Sequence, residues 1–447
     1  MRVLDRPGTP ERPPPLFRVA HLVRAVFPYH GYGGLERSAT ALTRQLLLNG
    51  LDVTLLTRRL SAAAASDLVP AGAPGRLDVV PVRYSVLPLR PNSIPARLTN
   101  YPLFVEQMGR RTAQLVAAGR ATMVHAHGLC AWGVRSPARR RDPAGHVLPL
   151  IMNPHGLEDF KVRDPLKRLA YGPFRAMYRA GARAADRVIA TDSGARDEVC
   201  RLLGVPNERV VVLPNALDLD DLLRPVDPAR QAALRTRWAL AAPGAVGLSV
   251  GRLEANKGFG FLLRALAQLP AGLPAWRWII VGTGQERAAL QDLAARLGIG
   301  ALMIFAGPVG DADLQNLYEL ATLFVHPSLY EGSSLVTLEA LAHGRPVVAS
   351  AVGYIPDKVR PGVTGLLVPP GDPAALAAAI SWCLTRPAEA AALGRAGAAL
   401  VRAEYTWPAV ARRTIAVYEE LRDEQDGRGQ TTDDRRQTTS AGRASGA

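Results

Sequence analysis

The stretch HPSLYEGSSLVTLEALAHGRPVVAS, residues 326–350, contains a loop, a helix and a strand, each with its own sequence signal. The apolar run at residues 323–325 predicts a buried strand that leads into this loop. A helix is predicted to begin near Ser333 and Ser334, because serine is a favourable N-cap, and to end at Gly344, because glycine is favourable at C′. A second apolar run closes the stretch and predicts the next strand. This order of elements is typical of parallel α/β folds.

Two carboxylates lie in this stretch, Glu331 in the loop and Glu339 about one and a half turns inside the helix. Between them the N-terminus of the helix presents free N–H groups, which suit a phosphate. One carboxylate on either side of a phosphate would suit hydroxyl-rich groups at both of its ends, as in a sugar nucleotide. The spacing alone also fits, and on its own favours, one solvated loop glutamate and one glutamate on a helix surface.

The sequence EGSSLVTLE, residues 331–339, resembles the E-x7-E motif of retaining GT-B glycosyltransferases, specifically the GT4-like group (glycosyl transferases group 1). The resemblance covers residues 17–421. It implies an α/β protein of GT-B fold, with two Rossmann-like parallel-sheet domains that face a central cleft. By resemblance, Glu331 holds sugar hydroxyls, Glu339 holds ribose hydroxyls, and the helix start at Ser333, Ser334 and Leu335 binds the donor. Many members have Gly-Phe-Gly-Leu-Pro after the first glutamate, where this chain has Gly-Ser-Ser-Leu-Val, so donor preference is expected to differ.

The phrase GRLEANKG, residues 251–258, places Arg252 and Lys257 on either side of one short loop. The two cations could converge on one anion, because arginine forks onto a phosphate and lysine supplies a point charge; basic loop residues are more often simply solvated. The phrase resembles the donor diphosphate clamp of the family. Gly282 and Gly284 follow a predicted strand and allow close backbone approach, and Val309 lies where the family reads the nucleobase through backbone groups.

In the first half, Gly33 and Gly34 lie at a strand-to-helix turn, where backbone N–H groups can approach an anion. The pair alone is weak, but GGLER resembles the family's GGxER segment that faces the donor diphosphate. His155 ends a predicted buried strand, at the edge of a parallel sheet where ligands bind, and resembles the family's histidine near the donor sugar. His125 and His127 are interpreted as structural or as lying on the acceptor side.

Charge is distributed unevenly along the chain. The net charge is +15, and residues 83–187 hold 18 Lys/Arg against 6 Asp/Glu, a balance of +12. Such a field attracts nucleic acid, anionic lipid or phosphorylated substrates; it also fits an arginine-rich surface that serves solubility. Few aromatic residues and no nucleic-acid motif disfavour nucleic acid. We therefore keep, as a separate hypothesis, that the first domain docks on an anionic membrane surface to reach a lipid-linked acceptor.

The three cysteines are widely spaced and odd in number, so neither a disulfide framework nor a zinc site is predicted, and a reducing cytoplasm is expected. No signal peptide or membrane span is predicted. The predicted organisation is a disordered segment at 1–15, an acceptor-side domain at 16–215 completed by a returning helix at 405–421, a donor domain at 216–404, and a disordered tail at 422–447.

The predicted activity is retaining transfer of a hexosyl group from a nucleotide sugar to a hydroxyl acceptor, such as a lipid-linked or cell-envelope glycan or a glycolipid. His155, Arg252, Lys257 and Glu331 are the predicted catalytic residues. No cofactor or obligatory metal is expected, because Arg252, Lys257 and the helix N-terminus after Ser333 would stabilise the charge on the diphosphate. The alternatives are a GT-B sugar phosphorylase or epimerase, a non-catalytic nucleotide-sugar-binding protein, and a basic scaffold at a membrane surface or on nucleic acid. The donor base, sugar, linkage and oligomeric state have no signal in the sequence.

Overall fold

The computed structural model describes residues 15–30, 34–84, 94–162, 164–240, 244–332 and 334–444. The chain divides into two compact units. Unit 1 comprises Met1–Thr191, Ala195–Leu213 and Val410–Ala447, and unit 2 comprises Asp192–Gly194 and Pro214–Ala409. Unit 1 is therefore discontinuous in sequence, because its last segment follows the whole of unit 2.

Unit 1 contains a seven-stranded sheet in the order β3-β2-β1-β4-β5-β6-β7, and every strand pair is parallel. The order reverses between β1 and β4, as in a doubly wound Rossmann sheet, whose ligands bind beyond the carboxyl ends of the strands at that point. The strands are β1 Arg18–Leu22, β2 Asp52–Thr57, β3 Leu77–Pro81, β4 Met123–His127, β5 Leu150–Asn153, β6 Arg187–Ala190 and β7 Val210–Val212.

Helices connect these strands in the parallel crossover pattern. They are α1 Gly34–Leu48, α2 Ala62–Asp67, α3 Ile94–Ala117, α4 Cys130–Gly133, α5 Glu158–Lys161, α6 Pro165–Ala170, α7 Gly172–Ala184 and α8 Ser193–Leu203, with 3₁₀ turns at Pro137–Arg140 and Asn207–Arg209.

Unit 2 contains a six-stranded parallel sheet in the order β10-β9-β8-β11-β12-β13. The strands are β8 Ala245–Val250, β9 Trp276–Val281, β10 Met303–Gly307, β11 Leu323–His326, β12 Val347–Ser350 and β13 Leu366–Val368. The helices are α9 Leu219–Leu222, α10 Pro228–Arg237, α11 Phe259–Ala267, α12 Arg287–Arg296, α13 Asp311–Leu320, α14 Leu335–Ala342, α15 Ile355–Lys358, α16 Pro373–Thr385 and α17 Pro387–Glu404, with 3₁₀ turns at Ala255–Lys257 and Gly300–Leu302.

Two hydrophobic clusters lie in unit 2, and neighbouring residues of a strand belong to different clusters, as expected for a sheet covered on both faces. Trp278 is the largest fully buried side chain, and it packs where Gly247 leaves room, since a Cβ on Gly247 would lie 2.2 Å from its ring. The Trp278 Nε1–H donates to Ser249 Oγ at 3.2 Å, and Ser249 donates to the carbonyl of Val325 at 2.8 Å. This buried chain of hydrogen bonds joins β9, β8 and β11, and β11 carries the loop discussed below.

The last helix, α18 (Trp407–Ala444), brings the chain back into unit 1. Its Tyr418 ring contacts the edge of the Phe17 ring, with centroids 5.7 Å apart, and both side chains are buried. The backbone continues as a helix beyond the end predicted near residue 421, into the tail for which the sequence predicts disorder. Extension of a helix that is already nucleated and packed costs much less than starting one, which accounts for the difference.

Candidate functional site

The loop between β11 and α14 is fixed by its contacts with the turn at Ala255–Lys257. The Leu329 N–H donates to the carbonyl of Asn256 at 2.9 Å, and Gly258, with a φ of 68°, allows the two segments to touch because a Cβ there would lie 2.0 Å from the carbonyl oxygen of Pro327. Lys257, which is far from the loop in sequence, is therefore held beside it. The loop leads directly into the N-terminus of α14.

Glu331 accepts three hydrogen bonds on one oxygen, Oε2. Lys257 Nζ donates at 2.6 Å, His326 Nε2 at 2.9 Å and Ser328 Oγ at 3.3 Å. Burial alone raises the pKa of this carboxyl, but the hydrogen bonds and charges of His326 and Lys257 outweigh burial and lower the pKa to about 2. Glu331 is therefore ionised at neutral pH, and Oε1 takes part in none of these three bonds.

Glu339 lies in the second turn of α14, and its Oε2 accepts a hydrogen bond from the Tyr318 hydroxyl at 2.9 Å. Burial raises the pKa of Glu339, whereas the Tyr318 hydrogen bond and the charge of His343 act in the opposite direction. Tyr318 is itself fully buried and stacks on His343, with ring centroids 5.1 Å apart. The two carboxylates thus have opposite electrostatic environments, because only Glu331 has a cation on its carboxylate.

Helix α14 begins at Leu335, with Ser334 at the N-cap, and Gly344 follows its end with a φ of 67°, as the sequence predicts. The side chain of Ser334 does not cap the helix, contrary to the expectation for a serine in this position. Its hydroxyl instead bonds Thr337 Oγ1 at 2.8 Å and lies 3.4 Å from His326 Nε2. The Ser334 side chain therefore does not compete with a ligand for the first N–H groups of α14. Ser333 lies outside the described residues.

Arg252 and Lys257 make separate ion pairs in this structure. Arg252 bonds Glu254 at 2.8 Å and its side chain is 71% exposed, whereas the partly buried Lys257 pairs with Glu331. The sequence suggests that the two cations could converge on one anion. In this structure each pairs with a different carboxylate, Arg252 with Glu254 and Lys257 with Glu331. A long exposed arginine paired at the surface is held weakly, and such a pair contributes little to stability.

The glycines after β9 permit a close approach between loops. Gly282 has a φ of 137°, and a Cβ on it would lie 1.9 Å from the carbonyl oxygen of Gly251. A Cβ on Gly284 would lie 2.2 Å from the carbonyl oxygen of Leu253. These two glycines therefore pack closely against the backbone of residues 251 and 253. Val309 is partly buried against the core of unit 2, and Leu335 is 43% exposed.

In unit 1, His155 follows β5 with a φ of 55°, and its N–H donates to Asn153 Oδ1 at 3.0 Å. Its Nε2 lies 2.6 Å from Nδ1 of His127, which is buried at the end of β4. His125 is also buried and its Nδ1 lies 2.7 Å from the Tyr418 hydroxyl. Gly34 is the first residue of α1, and a Cβ placed there would meet open space among the described residues beyond its chain neighbours and its own helix; Gly33 lies outside the described residues.

Two family models match the chain. Residues 244–386 match "Glycosyl transferases group 1", and residues 32–221 match "Glycosyltransferase Family 4". The D-inositol 3-phosphate glycosyltransferase of Thermobispora bispora is 33% identical over 405 residues, which cover 87% of this chain and 90% of that protein. A protein of the same name, numbered 1, from Catenulispora acidiphila is 33% identical over 400 residues, covering 86% and 90%. This chain belongs to the group 1 glycosyltransferases.

The solved structures similar to this glycosyltransferase have the GT-B fold. Sucrose-phosphate synthase from Thermosynechococcus elongatus is 26% identical with a TM-score of 0.63, over 91% of this chain and 99% of that one. HepE from Anabaena, solved in complex with UDP, is 20% identical with a TM-score of 0.63, over 90% and 100%. The family and the α/β GT-B fold predicted from the sequence are confirmed.

Two further properties of the glycosyltransferase concern membranes and metals. Within the described ranges, none of the helices combines the length and the apolar character that a bilayer crossing requires. Over the same residues, His, Cys, Asp and Glu side chains form no group of three or more that could hold a metal ion.

Several residues that contact the predicted site residues have no role in the sequence-based prediction. His326, Ser328 and Tyr318 hold the two glutamates, and His21 bonds the ring of His127 at 2.6 Å. His326 and Ser328 lie close to Glu331 in the stretch that defines the fold, and this closeness in sequence is the signal from which their contact with Glu331 could be predicted. Tyr318 and His21 come from other elements. Only the order of strands and helices in space brings Tyr318 near Glu339 and His21 near His127.

Proposed function

We propose that this glycosyltransferase transfers a hexosyl group from a nucleotide-sugar donor to a hydroxyl acceptor, with retention of the anomeric configuration. The observation that carries the proposal is the arrangement around α14. Glu331 is held ionised on one oxygen at the start of the helix, and Glu339 is held by Tyr318 in its second turn. A diphosphate at the helix N-terminus would have a carboxylate towards its sugar and another towards its ribose, both of which carry hydroxyl donors.

The chemistry requires stabilisation of the charge that develops on the diphosphate. The bond between the anomeric carbon and the phosphate oxygen breaks, the acceptor oxygen bonds to that carbon, and the acceptor proton passes to the leaving phosphate. The α14 N-terminus is pre-positioned for this charge, and Lys257 has three N–H donors, of which one suffices for Glu331. The exposed Arg252 side chain pairs with Glu254 at the surface rather than in the core, and it would move from Glu254 to the phosphate. These groups would stabilise the charge without an obligatory divalent metal.

In unit 1, His155 would contact the donor sugar, and Gly33 and Gly34 would give the diphosphate access to backbone N–H groups. In unit 2, Gly282 would bind the donor, and the backbone around Val309 would contact the nucleobase. These assignments follow from the family motifs that the residues match. Similar solved structures hold UDP or UDP-glucose, which makes a uridine nucleotide the first donor to test.

The test has two parts. Thermal stabilisation is measured with UDP, GDP, ADP and their common sugar conjugates at millimolar concentration, in EDTA and in magnesium. One nucleotide should stabilise the protein in both buffers, and Arg252→Met and Glu339→Gln should weaken the effect. Arg120→Met, at an exposed ion pair with Asp78 in unit 1, is the control for loss of a surface arginine. If none of the nucleotides raises the unfolding temperature of the protein, the proposal is refuted.

The second part separates transfer from related activities. Released nucleotide is measured with and without acceptors, and inositol phosphates belong in the panel because the relatives are D-inositol 3-phosphate glycosyltransferases. Release only in the presence of an acceptor supports transfer, and NMR of the product reports the anomeric configuration. Stabilisation by donor without turnover of any acceptor in a broad panel would favour a binding protein.

We also propose that unit 1 docks, as a peripheral protein, on anionic lipid at the cytoplasmic face of a membrane, where a lipid-linked acceptor is reached. On helix α6, Leu166 and Leu169 are 79% and 77% exposed, and Lys167 and Arg168 lie between them. Exposed leucines beside cations suit the interface of an anionic bilayer. Co-sedimentation with vesicles of anionic lipid at low salt should fall in Leu166→Ser/Leu169→Ser. Equal binding by the variant, or none by the native protein, would count against docking.

A further inference from the structure

Four side chains in unit 1 form a continuous chain of hydrogen bonds from the core to the end of β5. Thr43 Oγ1 lies 2.9 Å from His21 Nδ1, His21 Nε2 lies 2.6 Å from His127 Nε2, and His127 Nδ1 lies 2.6 Å from His155 Nε2. The residues come from α1, β1, β4 and the loop after β5. They lie together because β1 and β4 are adjacent in the sheet, as are β4 and β5.

The chain begins in the core and ends at a partly exposed group. Thr43 and His21 have no exposed surface and His127 is 2% exposed, whereas His155 is partly exposed. Burial, with the charge of His155, lowers the pKa of His21 to about 3, and burial lowers the pKa of His155 to about 4. Burial also lowers the pKa of His127. All three rings are neutral at physiological pH, so each carries one N–H and one lone pair.

With neutral rings, the proton position on one member fixes the others. The Thr43 hydroxyl donates to the carbonyl of Ala39 at 2.9 Å, one turn back in α1, and so accepts from His21 Nδ1–H. His21 Nε2 is then a lone pair and accepts from His127 Nε2–H. His127 Nδ1 is in turn a lone pair and accepts from His155 Nε2–H. In the opposite direction, Thr43 would donate to His21 and give up its bond to Ala39, leaving one internal hydrogen bond fewer.

We infer that Thr43 is a positioning residue that sets the tautomer of His155, so that His155 carries its proton on Nε2 and presents Nδ1 as a hydrogen-bond acceptor. A lone pair at Nδ1 selects a hydroxyl donor. Resting on the proposed function, this assigns the partner of His155 as a hydroxyl hydrogen of the sugar. The carbonyl of Ala39 thereby determines, through Thr43 and three histidine rings, that His155 accepts rather than donates a hydrogen bond at Nδ1.

The tautomer is measured directly, without substrate. Long-range ¹H–¹⁵N correlation spectra of the full chain labelled with ¹⁵N-histidine distinguish a protonated ring nitrogen from a bare one. The His155 signals are assigned by their loss in His155→Gln. The native protein should show His155 with Nε2 protonated and Nδ1 bare. A proton on Nδ1 in the native protein would overturn the inference whatever the variants do.

Thr43→Val keeps the shape of the side chain and removes its hydroxyl, which leaves His21 Nδ1 beside a methyl group. A buried N–H without an acceptor is rarer than a bare acceptor without a donor, so the chain should reverse and His155 should move its proton towards Nδ1. Thr43→Ser should keep the native tautomer. The control is Thr112→Val on α3, because Thr112 is equally buried and bonds its own i−4 carbonyl at 2.9 Å. An unchanged tautomer in Thr43→Val would refute the role of Thr43.

Transferase activity tests separately whether His155 Nδ1 accepts a hydroxyl of the sugar. Loss of one sugar contact should lower kcat/KM of Thr43→Val about 2- to 10-fold, with Thr43→Ser and Thr112→Val close to native. A reversed tautomer with native kcat/KM would show that His155 Nδ1 accepts no substrate hydroxyl and would overturn the assigned contact. If no transferase activity exists in the native protein, the proposed function fails while the spectra still decide the tautomer.

Discussion

Replacing Lys257 by methionine removes the closest donor at Glu331 while keeping much of the apolar stem. The two charged atoms are 2.6 Å apart, and the side chains are only 14% and 13% exposed. At an effective dielectric constant of about 20 their attraction is roughly 6 kcal/mol, most of which offsets the cost of removing both charges from water. Removing one partner of a fully buried pair costs about 3–5 kcal/mol, and the lower end applies to this partly buried pair. Because His326 and Ser328 still donate to Glu331, we expect about 3 kcal/mol for Lys257→Met.

The assay is urea-induced unfolding at pH 7, with Glu331→Gln and the double variant completing a cycle. The double variant should be less destabilised than the sum of the two single variants, by about 2 kcal/mol, because no buried charge is left without its partner. Arg360→Met is the control in the same unit, since its 3.1 Å pair with Glu404 is exposed and should contribute under about 1 kcal/mol. A Lys257→Met cost no larger than that of Arg360→Met would refute the view that this pair is shielded from water.

Three other predictions concern residues of unit 2. The pKa of Glu331 in the folded protein is about 2, against an ordinary 4.5, so its contribution to the free energy of unfolding is complete above pH 4.5 and is lost as the pH falls towards 2. Relative to Glu331→Gln, the native protein should lose about 1 kcal/mol of unfolding free energy between pH 6 and 3.5. A difference that stays constant with pH would contradict the ion pair. Gly282→Ala should destabilise by more than about 2 kcal/mol in urea unfolding, because its φ is 137° and the new Cβ would meet the Gly251 carbonyl, and a cost near zero would mean that the loop yields freely. Tyr318→Phe should raise the pKa of Glu339 further and weaken nucleotide binding measured by calorimetry, whereas unchanged affinity would place Glu339 outside the donor site.

The parts of the fold that depend on neighbouring residues are predictable from the sequence. The apolar run at 323–325 and Gly344 define β11 and the end of α14, because strand periodicity and the left-handed C′ position are local requirements. The N-cap position of Ser334 is local in the same way. The partner of its hydroxyl is harder to predict, since Thr337 in the same helix and His326 at the end of β11 both lie within reach instead of the helix N–H groups.

Prolines inside a helix are a second limit. The prolines that interrupt residues 87–102 predict a helix that follows this stretch and ends near residue 118. Helix α3 instead begins at Ile94 and contains Pro102. A helix of 24 residues loses one backbone bond there and keeps the others, so its packing outweighs the local penalty.

The contacts around Glu331 in unit 2 and in the histidine chain of unit 1 are mostly long-range in sequence. Lys257 and Glu331 are 74 residues apart, and His21 and His127 are 106 apart. Motif resemblance indicates that Lys257 and Glu331 belong to one site, but it does not show that they bond each other. Nothing in the periodicity of β1 or β4 shows that they are neighbours, so the histidine chain follows only from the order of strands in the sheet.

Unit 1 consists of residues from both ends of the sequence, and this has a consequence for synthesis on the ribosome. Phe17 emerges early, but Tyr418, which covers its ring, is made only after the whole of unit 2. Unit 2 is continuous apart from three residues, so it can acquire its full core while the last helix is still being translated. The first domain to be synthesised is therefore the last to be completed. A ribosome that stalls before residue 418 carries a chain in which Tyr418 does not yet cover Phe17, and exposed apolar surface of this kind is recognised by chaperones and proteases.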